Sequence, residues 1–379
     1  MAQVRFGIVG TGGMGSGHAK TMQSIEECKL VAVCDIVPEV AEAVGEQYNV
    51  PYYTDYHDLI DREDVDAVMV ATPHYFHPEI AIYAMEKGKP VISEKPIAVT
   101  VAAADAMVAA AKRTGTPFAV MYQSRTEPIW QAAWNLVQSG QLGKIYRTML
   151  VYADFRSQAY YNSAGWRATW AGEGGGVLIN QAPHSLDRFT WLAGLPNRVT
   201  AYTATANHKI EVEDVAAAML EYPNGATGFI YCSTTEMPGT DILEISGELG
   251  KLRVVGKEIK FWRIPHGVKA YSDGSTEMWK RPEVEEVEVE IPERESGHGA
   301  VLRNMARHIL YGETLITPGV EGINSVELIN AMILSGRTGG PVSIPVARER
   351  YDAFLEELKK TSVHKGTGPD KRVTDDVHH

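Results

Sequence analysis

Residues 4–15 read VRFGIVGTGGMG, an apolar run followed directly by a glycine-rich turn. The run predicts a buried strand, and the glycines stand in the spacing G-x-G-x-x-G. Gly10 would make the tight turn, Gly12 would let the backbone approach a pyrophosphate, and Gly15 would let the next helix pack against the strand. That helix would offer free N–H groups and the positive end of its dipole to phosphate. The stretch therefore predicts a dinucleotide site.

An acidic residue twenty positions after the last glycine supports this prediction. Residues 29–34, KLVAVC, indicate a second buried strand, and Asp35 stands at its carboxyl end. Its carboxylate would accept hydrogen bonds from ribose hydroxyls and repel a 2′-phosphate, and Ile36 and Val37 add no cation that would reverse the preference. We therefore predict NAD rather than NADP as the cofactor.

Composition limits the class of protein. The 379 residues are 44% hydrophobic and 22% charged, which suits two globular domains. No apolar run is long enough to cross a bilayer, and no basic and apolar leader precedes the first strand, so we expect neither a membrane protein nor an exported one. Three scattered cysteines predict neither a disulfide framework nor a zinc site and fit the cytoplasm. The net charge of −12, without long Lys or Arg runs, argues against nucleic-acid partners.

The order of predicted elements changes near residue 122. Before it, β-rich runs alternate with helical stretches, which predicts a parallel sheet wrapped by helices. The predicted strands are 4–9, 29–35, 66–71, 90–93 and 118–121, and the helices are 13–24, 38–48, 77–87 and 100–114. After it, the predicted strands follow one another at 144–154, 197–205, 213–222, 226–234, 240–247, 250–255, 258–264 and 284–291, with helices at 128–138, 176–193, 298–311, 319–336 and 347–360.

This pattern predicts an α/β protein of two domains. Residues 1–122 would form the dinucleotide-binding domain. Residues 123–361 would form an α/β domain with a large, open, mostly antiparallel sheet, and its last helices could pack back on the first domain. Residues 362–379 would be a polar tail. Alternating apolar residues at 216–222 and 227–231 would leave an apolar sheet face exposed in a monomer, so we expect a second subunit to cover it.

Two local patterns indicate chemistry. Glu94-Lys95-Pro96 follows the predicted strand 90–93, at the edge where ligands bind in open parallel sheets. A structural Lys–Glu pair is the alternative. Further along, three glycines at 174–176 precede a predicted helix that would display Asn180, His184 and Asp187 on one face. A histidine facing a cleft is a candidate general base, although a single histidine can also be structural.

Aromatic and polar residues concentrate in the same part of the chain. Tyr160 and Tyr161 share a polar loop with Arg156 and Gln158, a combination that suits a sugar ring. Trp130, Trp134 and Trp191 stand at helical positions and are interpreted as core or contact residues. His74 and His77 have no third ligand nearby, so no metal is predicted, and His77 is expected to line the cofactor site.

Taken together, these motifs resemble the glucose-fructose oxidoreductase, inositol dehydrogenase and rhizopine-catabolism protein (Gfo/Idh/MocA) family from residue 4 to about residue 345. The resemblance rests on Gly10–Gly15, Asp35, Ala71-Thr72-Pro73 with His77, Glu94-Lys95-Pro96, Arg125, Trp166-Arg167 and Gly174–Gly176 with His184 and Asp187. It implies a Rossmann domain followed by an α/β domain whose open sheet forms dimer or tetramer contacts. The inositol dehydrogenase branch has an acid four residues before the histidine. This chain has Asn180 there, so a carboxylate relay is not expected.

The resemblance also implies roles for individual residues. Lys95 and His184 would act on the substrate, Asp187 would bind its hydroxyls, and Trp166-Arg167 would lie near the cofactor. The predicted cofactor site comprises Gly10, Thr11, Gly12, Gly13, Met14, Gly15, Asp35, Thr72, Pro73, His77, Glu94, Lys95, Trp166 and Arg167. The predicted substrate site comprises Lys95, Arg125, Asn180, Asp187 and Tyr160.

These observations predict an NAD-dependent oxidoreductase that moves a hydride between nicotinamide and a secondary alcohol or ketone. The substrate would be a cyclic polyol, a pyranose sugar or a glycoside, and C3 is one candidate for the carbon that is oxidised. His184 would take the hydroxyl proton while Lys95 stabilises negative charge on the same oxygen. Two alternatives stay open. One is a glycosidase that retains NAD and oxidises C3 transiently, and the other is a non-catalytic, NAD-sensing regulator. The sequence identifies neither the sugar, the direction nor the oligomer size.

Overall fold

The computed structural model describes residues 2–363. The first part of the chain forms β1 Val4–Val9, α1 Gly13–Met22, β2 Cys28–Cys34, α2 Pro38–Tyr48, β3 Tyr52–Tyr53, α3 Tyr56–Ile60, β4 Ala67–Val70, α4 His77–Glu86, β5 Val91–Ser93, α5 Val101–Thr114 and β6 Phe118–Val120. The remainder forms α6 Pro128–Gln138, β7 Ile145–Phe155, α7 Gln158–Tyr161, α8 Pro183–Ala193, β8 Arg198–Ala204, β9 Val215–Glu221, β10 Thr227–Ser233, β11 Thr235–Gly247, β12 Gly250–Val255, β13 Glu258–Arg263, α9 Val268–Gly274, β14 Glu285–Val287, α10 His298–Tyr311, α11 Gly319–Thr338, β15 Val342–Ser343 and α12 Arg348–Lys360.

The first sheet is parallel, with strand order β3-β2-β1-β4-β5-β6. Val9 pairs with Cys34 on one side and with Val70 on the other, so these three strands end at the same edge. The turns that follow them therefore meet there, as the Rossmann prediction requires. The short elements β3 and α3 were not predicted, because two to five residues are too few to show a periodic apolar pattern.

The second sheet is large and mixed, with order β14-β13-β12-β11-β7-β10-β9-β8-β15. Among the described strands of this second sheet, only β7 and β10 pair in parallel, which confirms the prediction of a mostly antiparallel sheet. The predicted strand 284–291 is shorter than expected, because only Glu285–Val287 pair with the neighbouring β13.

The helix predicted over 176–193 begins only at Pro183, which corrects the prediction. Residues 174–182 form turns, because Gly176 lies against the backbone of Glu213, where a Cβ would stand 1.8 Å from the Glu213 carbonyl oxygen. Asn180 therefore precedes α8 and does not share its face with His184.

Two helices from the end of the chain pack against the first sheet, and one of them, α11, also contacts the second. Val301 and Leu302 of α10 pack in one apolar cluster with Val4 and Phe6 of β1. Helix α11 is buried along most of its length, and it packs against both β6 and α8. Such an apolar helix is stable only between two layers. The division at 122/123 remains a prediction, and residues 364–379 of the predicted tail lie outside the described residues.

The second sheet has one covered side and one open side. Ala216, Ala218 and Leu220 of β9 point to the buried side. The opposite side, called here the outer face, carries two cross-strand rows of side chains: Tyr202, Ala217, Tyr231, Val151 and Ile242, and Thr200, Met219, Phe229, Met149 and Glu244. Tyr202 is 66% exposed and Met219 is 57% exposed. Most of these side chains are apolar, so the outer face is a continuous apolar stripe.

Candidate functional site

The glycine loop after β1 has the shape that a pyrophosphate needs. Gly10 has a φ of 88°, and a Cβ on it would lie 2.7 Å from the Ala71 backbone. A Cβ on Gly15 would lie 1.8 Å from the Gly10 carbonyl oxygen, so α1 packs tightly on the turn. A Cβ on Gly12 would meet no described atom within 4 Å. The exposed residues Gly12, Gly13 and Met14 thus open onto free space at the start of α1, where first-turn N–H groups attract phosphate.

Asp35 is fixed beside this loop. The N–H of Thr11 donates to its Oδ2 at 2.8 Å, and the N–H of Val37 donates to its Oδ1 at 3.1 Å. The carboxylate is therefore held at the end of β2, level with the glycine turn. This placement suits a ribose carrying two free hydroxyls.

His77 supports the next two turns of the site. It is 0% exposed, and its Nδ1 and Nε2 lie 2.9 Å from the Pro96 carbonyl oxygen and 2.8 Å from the Thr72 carbonyl oxygen. The imidazole thus ties the Thr72-Pro73 turn to the Lys95-Pro96 turn and offers no free nitrogen to a ligand. The buried hydroxyl of Thr72 has no partner within residues 2–363, so it fits a cofactor atom.

Glu94 anchors the turn after β5. Its Oε1 lies 2.7 Å from Nε2 of His18, and its Oε2 accepts a hydrogen bond from the N–H of Lys95 at 3.0 Å. Burial opposes its ionisation, but the hydrogen bond and charge of His18, together with the Lys95 charge, lower the pKa of Glu94 to about 2. The predicted cofactor residue Glu94 thus makes protein contacts with both carboxylate oxygens.

Lys95 reaches across to the second half of the chain. Its Nζ donates to the backbone carbonyl of Asn180 at 2.9 Å. Burial lowers the pKa of Lys95, whereas the charges of Glu94 and Glu173 act in the opposite direction. The structure thus places the ammonium group beside the loop that leads into α8.

His184 is the second residue of α8 and faces the ring edge of Tyr122, with 6.0 Å between ring centroids. Burial lowers the pKa of His184 to about 3, and the positive charge of Lys95 adds to the effect. Its Nδ1 has no hydrogen-bond partner among the described side chains and backbone. The imidazole is therefore neutral near pH 7 and keeps one ring nitrogen free of hydrogen bonds within the described residues.

Arg125 and Asp187, both predicted as substrate residues, pair with each other in the interior of the protein. The Arg125 Nε and one terminal nitrogen donate to the two carboxylate oxygens of Asp187 at 2.8 and 2.7 Å. The side chains are 1% and 0% exposed, and Arg125 also pairs with Glu321. Because both carboxylate oxygens are occupied and buried, this pair fixes α8, the helix that carries His184.

The Trp166-Arg167 stretch lies against Tyr160. A terminal nitrogen of Arg167 donates to the Tyr160 hydroxyl at 2.7 Å, and its guanidinium stands 4.4 Å from the Tyr160 ring centre and 4.7 Å from the Trp166 ring centre. The side-chain amide of Gln181 donates to the same hydroxyl at 3.1 Å. These contacts gather an aromatic and polar surface next to Asn180.

Sequence reasoning missed three residues of this region: His18, Glu173 and His298. His298 is the first residue of α10, and its ring lies 5.3 Å from that of His18 between centroids. Burial lowers the pKa of His298, and His18 and Lys95 act in the same direction. Its position reflects how α10 packs on the first sheet, for which local sequence carries no signal. Glu173, which adjoins Gly174, could have been found from its position beside the glycines.

Neither a metal site nor a membrane span is found within residues 2–363. No three His, Cys, Asp or Glu side chains there are grouped so that they could hold an ion. The rings of His74 and His77 are 5.9 Å apart, and the described histidine and acidic residues add no third ligand. No helix in that range is both long and apolar enough to cross a membrane.

Known proteins match the chain over both halves. Residues 4–122 match a family described as an oxidoreductase family with an NAD-binding Rossmann fold, and residues 130–253 match the GFO/IDH/MocA C-terminal domain. D-Apiose dehydrogenase of Paraburkholderia graminis is 26% identical over 348 residues, which are 89% of this chain and 88% of that protein. The NAD(+)-dependent scyllo-inositol 2-dehydrogenase of Bacillus subtilis is 26% identical over 91% of this chain and 98% of that protein.

A solved structure gives the same result. The WlbA dehydrogenase of Chromobacterium violaceum, in complex with NADH and UDP-GlcNAcA, superimposes with a TM-score of 0.78 and 31% identity. The match covers 92% of this chain and 97% of that one. The glycine loop, Asp35 and the unpartnered Thr72 hydroxyl fit the same cofactor. The chain therefore belongs to the Gfo/Idh/MocA family and is an NAD-dependent oxidoreductase.

Proposed function

We propose that this protein oxidises a secondary alcohol of a cyclic polyol or pyranose sugar, with His184 as general base and Lys95 as the group that stabilises the oxygen. The observation that carries the proposal is the approach of two groups from distant parts of the chain. Lys95 stands two residues after β5, and its ammonium group donates to the backbone carbonyl of Asn180, four residues before His184 of α8. Both lie at the edge where β1 ends in the glycine loop.

The proposed chemistry follows from the state of each side chain. Bound NAD supplies the hydride acceptor. His184, neutral near pH 7, takes the hydroxyl proton of the substrate, and Lys95 donates a hydrogen bond to the same oxygen as negative charge develops there. In the reverse direction Lys95 polarises a ketone and His184 returns the proton. The glycine loop, Asp35 and the Thr72-Pro73 turn would hold the cofactor.

A polyhydroxylated ring is the substrate class best supported by the surroundings. Tyr160 presents a ring whose hydroxyl is fixed by Arg167 and Gln181, which gives an aromatic surface beside oriented polar groups. Three relatives point the same way. The first two are named for apiose and scyllo-inositol, and the third was solved with UDP-GlcNAcA.

A substrate screen tests this proposal. Polyols, free sugars, uronic acids and glycosides are incubated with enzyme and NAD, and the absorbance band of reduced nicotinamide is followed, with Lys95→Ala as the matched control. We expect stoichiometric NADH from at least one cyclic polyol or pyranose. Glycoside cleavage without net NADH would favour the NAD-retaining glycosidase, and tight NAD binding without turnover of any compound would favour the regulator.

We further propose that the protein is a homodimer or homotetramer that works in the cytoplasm. The apolar outer face supports assembly, because monomers rarely expose a continuous apolar stripe of this kind. Cys28, Cys34 and Cys232 are buried and free, which suits a reducing compartment. We propose residues 1–122 as the cofactor domain and 123–361 as the substrate and assembly domain.

A further inference from the structure

Glu173 is a buried carboxylate that no sequence motif had singled out. Its side chain is 1% exposed, and it stands directly before the three glycines. Its Oε2 accepts a hydrogen bond from the N–H of Ala168 at 2.6 Å, and its Oε1 accepts one from the Asn180 side-chain amide. Arg167 lies 3.9 Å from the same Oε1. A buried charge persists only when it is paired in this way.

The contacts of Glu173 join two parts of the proposed site. On one side, Ala168 follows Trp166-Arg167 and has a φ of 56°, in the left-handed region that a residue with a Cβ seldom adopts. On the other side, Asn180 uses its side chain for Glu173 and its backbone carbonyl for the Lys95 ammonium group. A connected path therefore runs from Glu173 through Asn180 to Lys95.

We propose that Glu173 is a positioning residue for Lys95: its carboxylate fixes Asn180, and the Asn180 carbonyl holds the ammonium group at the reacting oxygen. This inference rests on the proposed function, in which Lys95 contacts the substrate. The inositol dehydrogenase branch has an acid at the position of Asn180, and Glu173 would supply a carboxylate to the same place in this chain. The acid comes from position 173 and contacts residue 180 through space.

The ionisation state of Glu173 matters to this path. Burial raises the pKa of Glu173 to about 7, against the opposing effect of Arg167. Both of its hydrogen-bond neighbours are N–H donors, so the protonated carboxyl group would have to give up one of these bonds. Protonation also removes a negative charge that raises the pKa of Lys95. The titratable groups that face Glu173 from the packed elements are Arg167, Lys95, Glu213, Tyr161 and His74.

The pH profile of kcat tests the proposal. The ionised form of Glu173 is the one that holds Asn180 and Lys95, so kcat of the wild type should fall as pH drops through about 7. This fall of kcat at low pH is called here the acid limb. The pKa of His184, about 3, is too low to produce it. In Glu173→Gln the limb should disappear, because glutamine still accepts from Ala168 and does not titrate. An unchanged limb in this variant overturns the proposal.

The pair of residues 173 and 180 provides a reciprocal test. Asn180→Asp places two carboxylates in contact, and we expect kcat to fall by at least about tenfold near pH 7. In the double variant Glu173→Gln/Asn180→Asp, the glutamine amide can donate to the new carboxylate, so most of the lost kcat should return. If the double variant is as slow as the product of the two single effects, Glu173 does not act through Asn180.

Glu213 provides a matched control. It is also buried, and burial raises its pKa to about 7, but its carboxylate accepts from the N–H groups of Gly176 and Leu178. Glu213→Gln therefore removes a similar charge without contacting Asn180. The acid limb should remain, shifted to lower pH because one negative charge that faces Glu173 is gone. If Glu213→Gln also loses the acid limb, then the limb depends on any buried carboxylate in this region. That result would overturn the specific role of Glu173.

A measurement without substrate separates this inference from the proposed function. In the unfolded chain Glu173 ionises near its ordinary pKa of 4.5, whereas the folded protein holds the proton until about pH 7. The folded state therefore loses stability as pH rises between these values. Relative to the wild type, Glu173→Gln should become more thermostable across this interval. A constant difference in melting temperature contradicts the titration of Glu173. If the difference in melting temperature changes with pH as expected but the enzyme turns over none of the screened compounds, only the proposed function is contradicted.

Discussion

The ammonium nitrogen of Lys95 lies 2.9 Å from the backbone carbonyl oxygen of Asn180, a residue 85 positions later. This contact joins the end of β5 in the first sheet to the loop before α8. His184 follows in α8, four residues after Asn180, so the placement of the proposed catalytic pair depends on how the two halves of the chain pack.

Removal of either catalytic group should slow the reaction and leave cofactor binding largely intact. We expect Lys95→Ala and His184→Ala each to lower kcat by about 10²–10⁴, the usual cost of losing a positioned proton-transfer or charge-stabilising group. Steady-state kinetics on the substrate found in the screen measure kcat, and fluorescence titration measures NAD affinity. His57→Ala, which alters an exposed histidine of α3, is the control. A near-normal kcat for His184→Ala between about pH 6 and 9 would assign the base to another group.

The buried pair Arg125–Asp187 should contribute to stability more than to binding. Asp187→Ala leaves the buried guanidinium with Glu321 as its remaining acidic partner among the described residues, and breaking such a pair costs about 3–5 kcal/mol of unfolding free energy. Chemical denaturation followed by circular dichroism measures the loss.

Two further variants separate this ion pair from its neighbour. Glu321→Gln should cost about 1 kcal/mol or less, because that carboxylate is 42% exposed. Arg125→Met/Asp187→Leu should recover part of the lost stability, because it leaves no unpaired charge. Unchanged stability of Asp187→Ala, combined with a large rise in KM for the substrate, would return Asp187 to substrate binding.

Asp35 should set the cofactor preference. Charge repulsion and lost ribose hydrogen bonds should disfavour NADP by about 1–3 kcal/mol, so kcat/KM should be higher with NAD. Asp35→Ser should narrow the difference in kcat/KM between NAD and NADP. Asp35→Asn removes the charge but keeps an oxygen that can accept a hydrogen bond from Thr11 or Val37, so it separates the two effects. Glu39→Gln, which alters a nearby carboxylate of α2, is the control. Equal efficiency with both cofactors in the wild type would contradict the assignment.

The outer face should form the contact between subunits. Light scattering at micromolar concentration should give the mass of a dimer or tetramer, and Tyr202→Glu should shift it toward the monomer by placing a charge in an apolar contact. Tyr311→Glu is the matched control, because Tyr311 is similarly exposed, at 56%, on α10. A wild type that scatters only as a monomer would refute this prediction.

The sequence alone determined the features that depend on neighbours along the chain. The spacing of Gly10, Gly12 and Gly15 after an apolar strand predicted the turn that the structure contains, because Gly10 and Gly15 each meet a local steric demand and Gly12 leaves space open. Asp35 and Lys95 were located for a similar reason. Asp35 directly follows β2 and Lys95 stands two residues after β5, and parallel strands end at a common edge.

Only the tertiary structure decided which charged and polar side chains contact one another. Asp187 and Arg125 both looked like substrate residues, yet they are 62 positions apart and neutralise each other inside the protein. The position of Glu173 beside three glycines does not reveal its partner, and it is folding that places its carboxylate against the side chain of Asn180. Long-range packing determines whether a charged group remains in solvent or pairs in the interior, and the cost of burying an unpaired charge then fixes its partner.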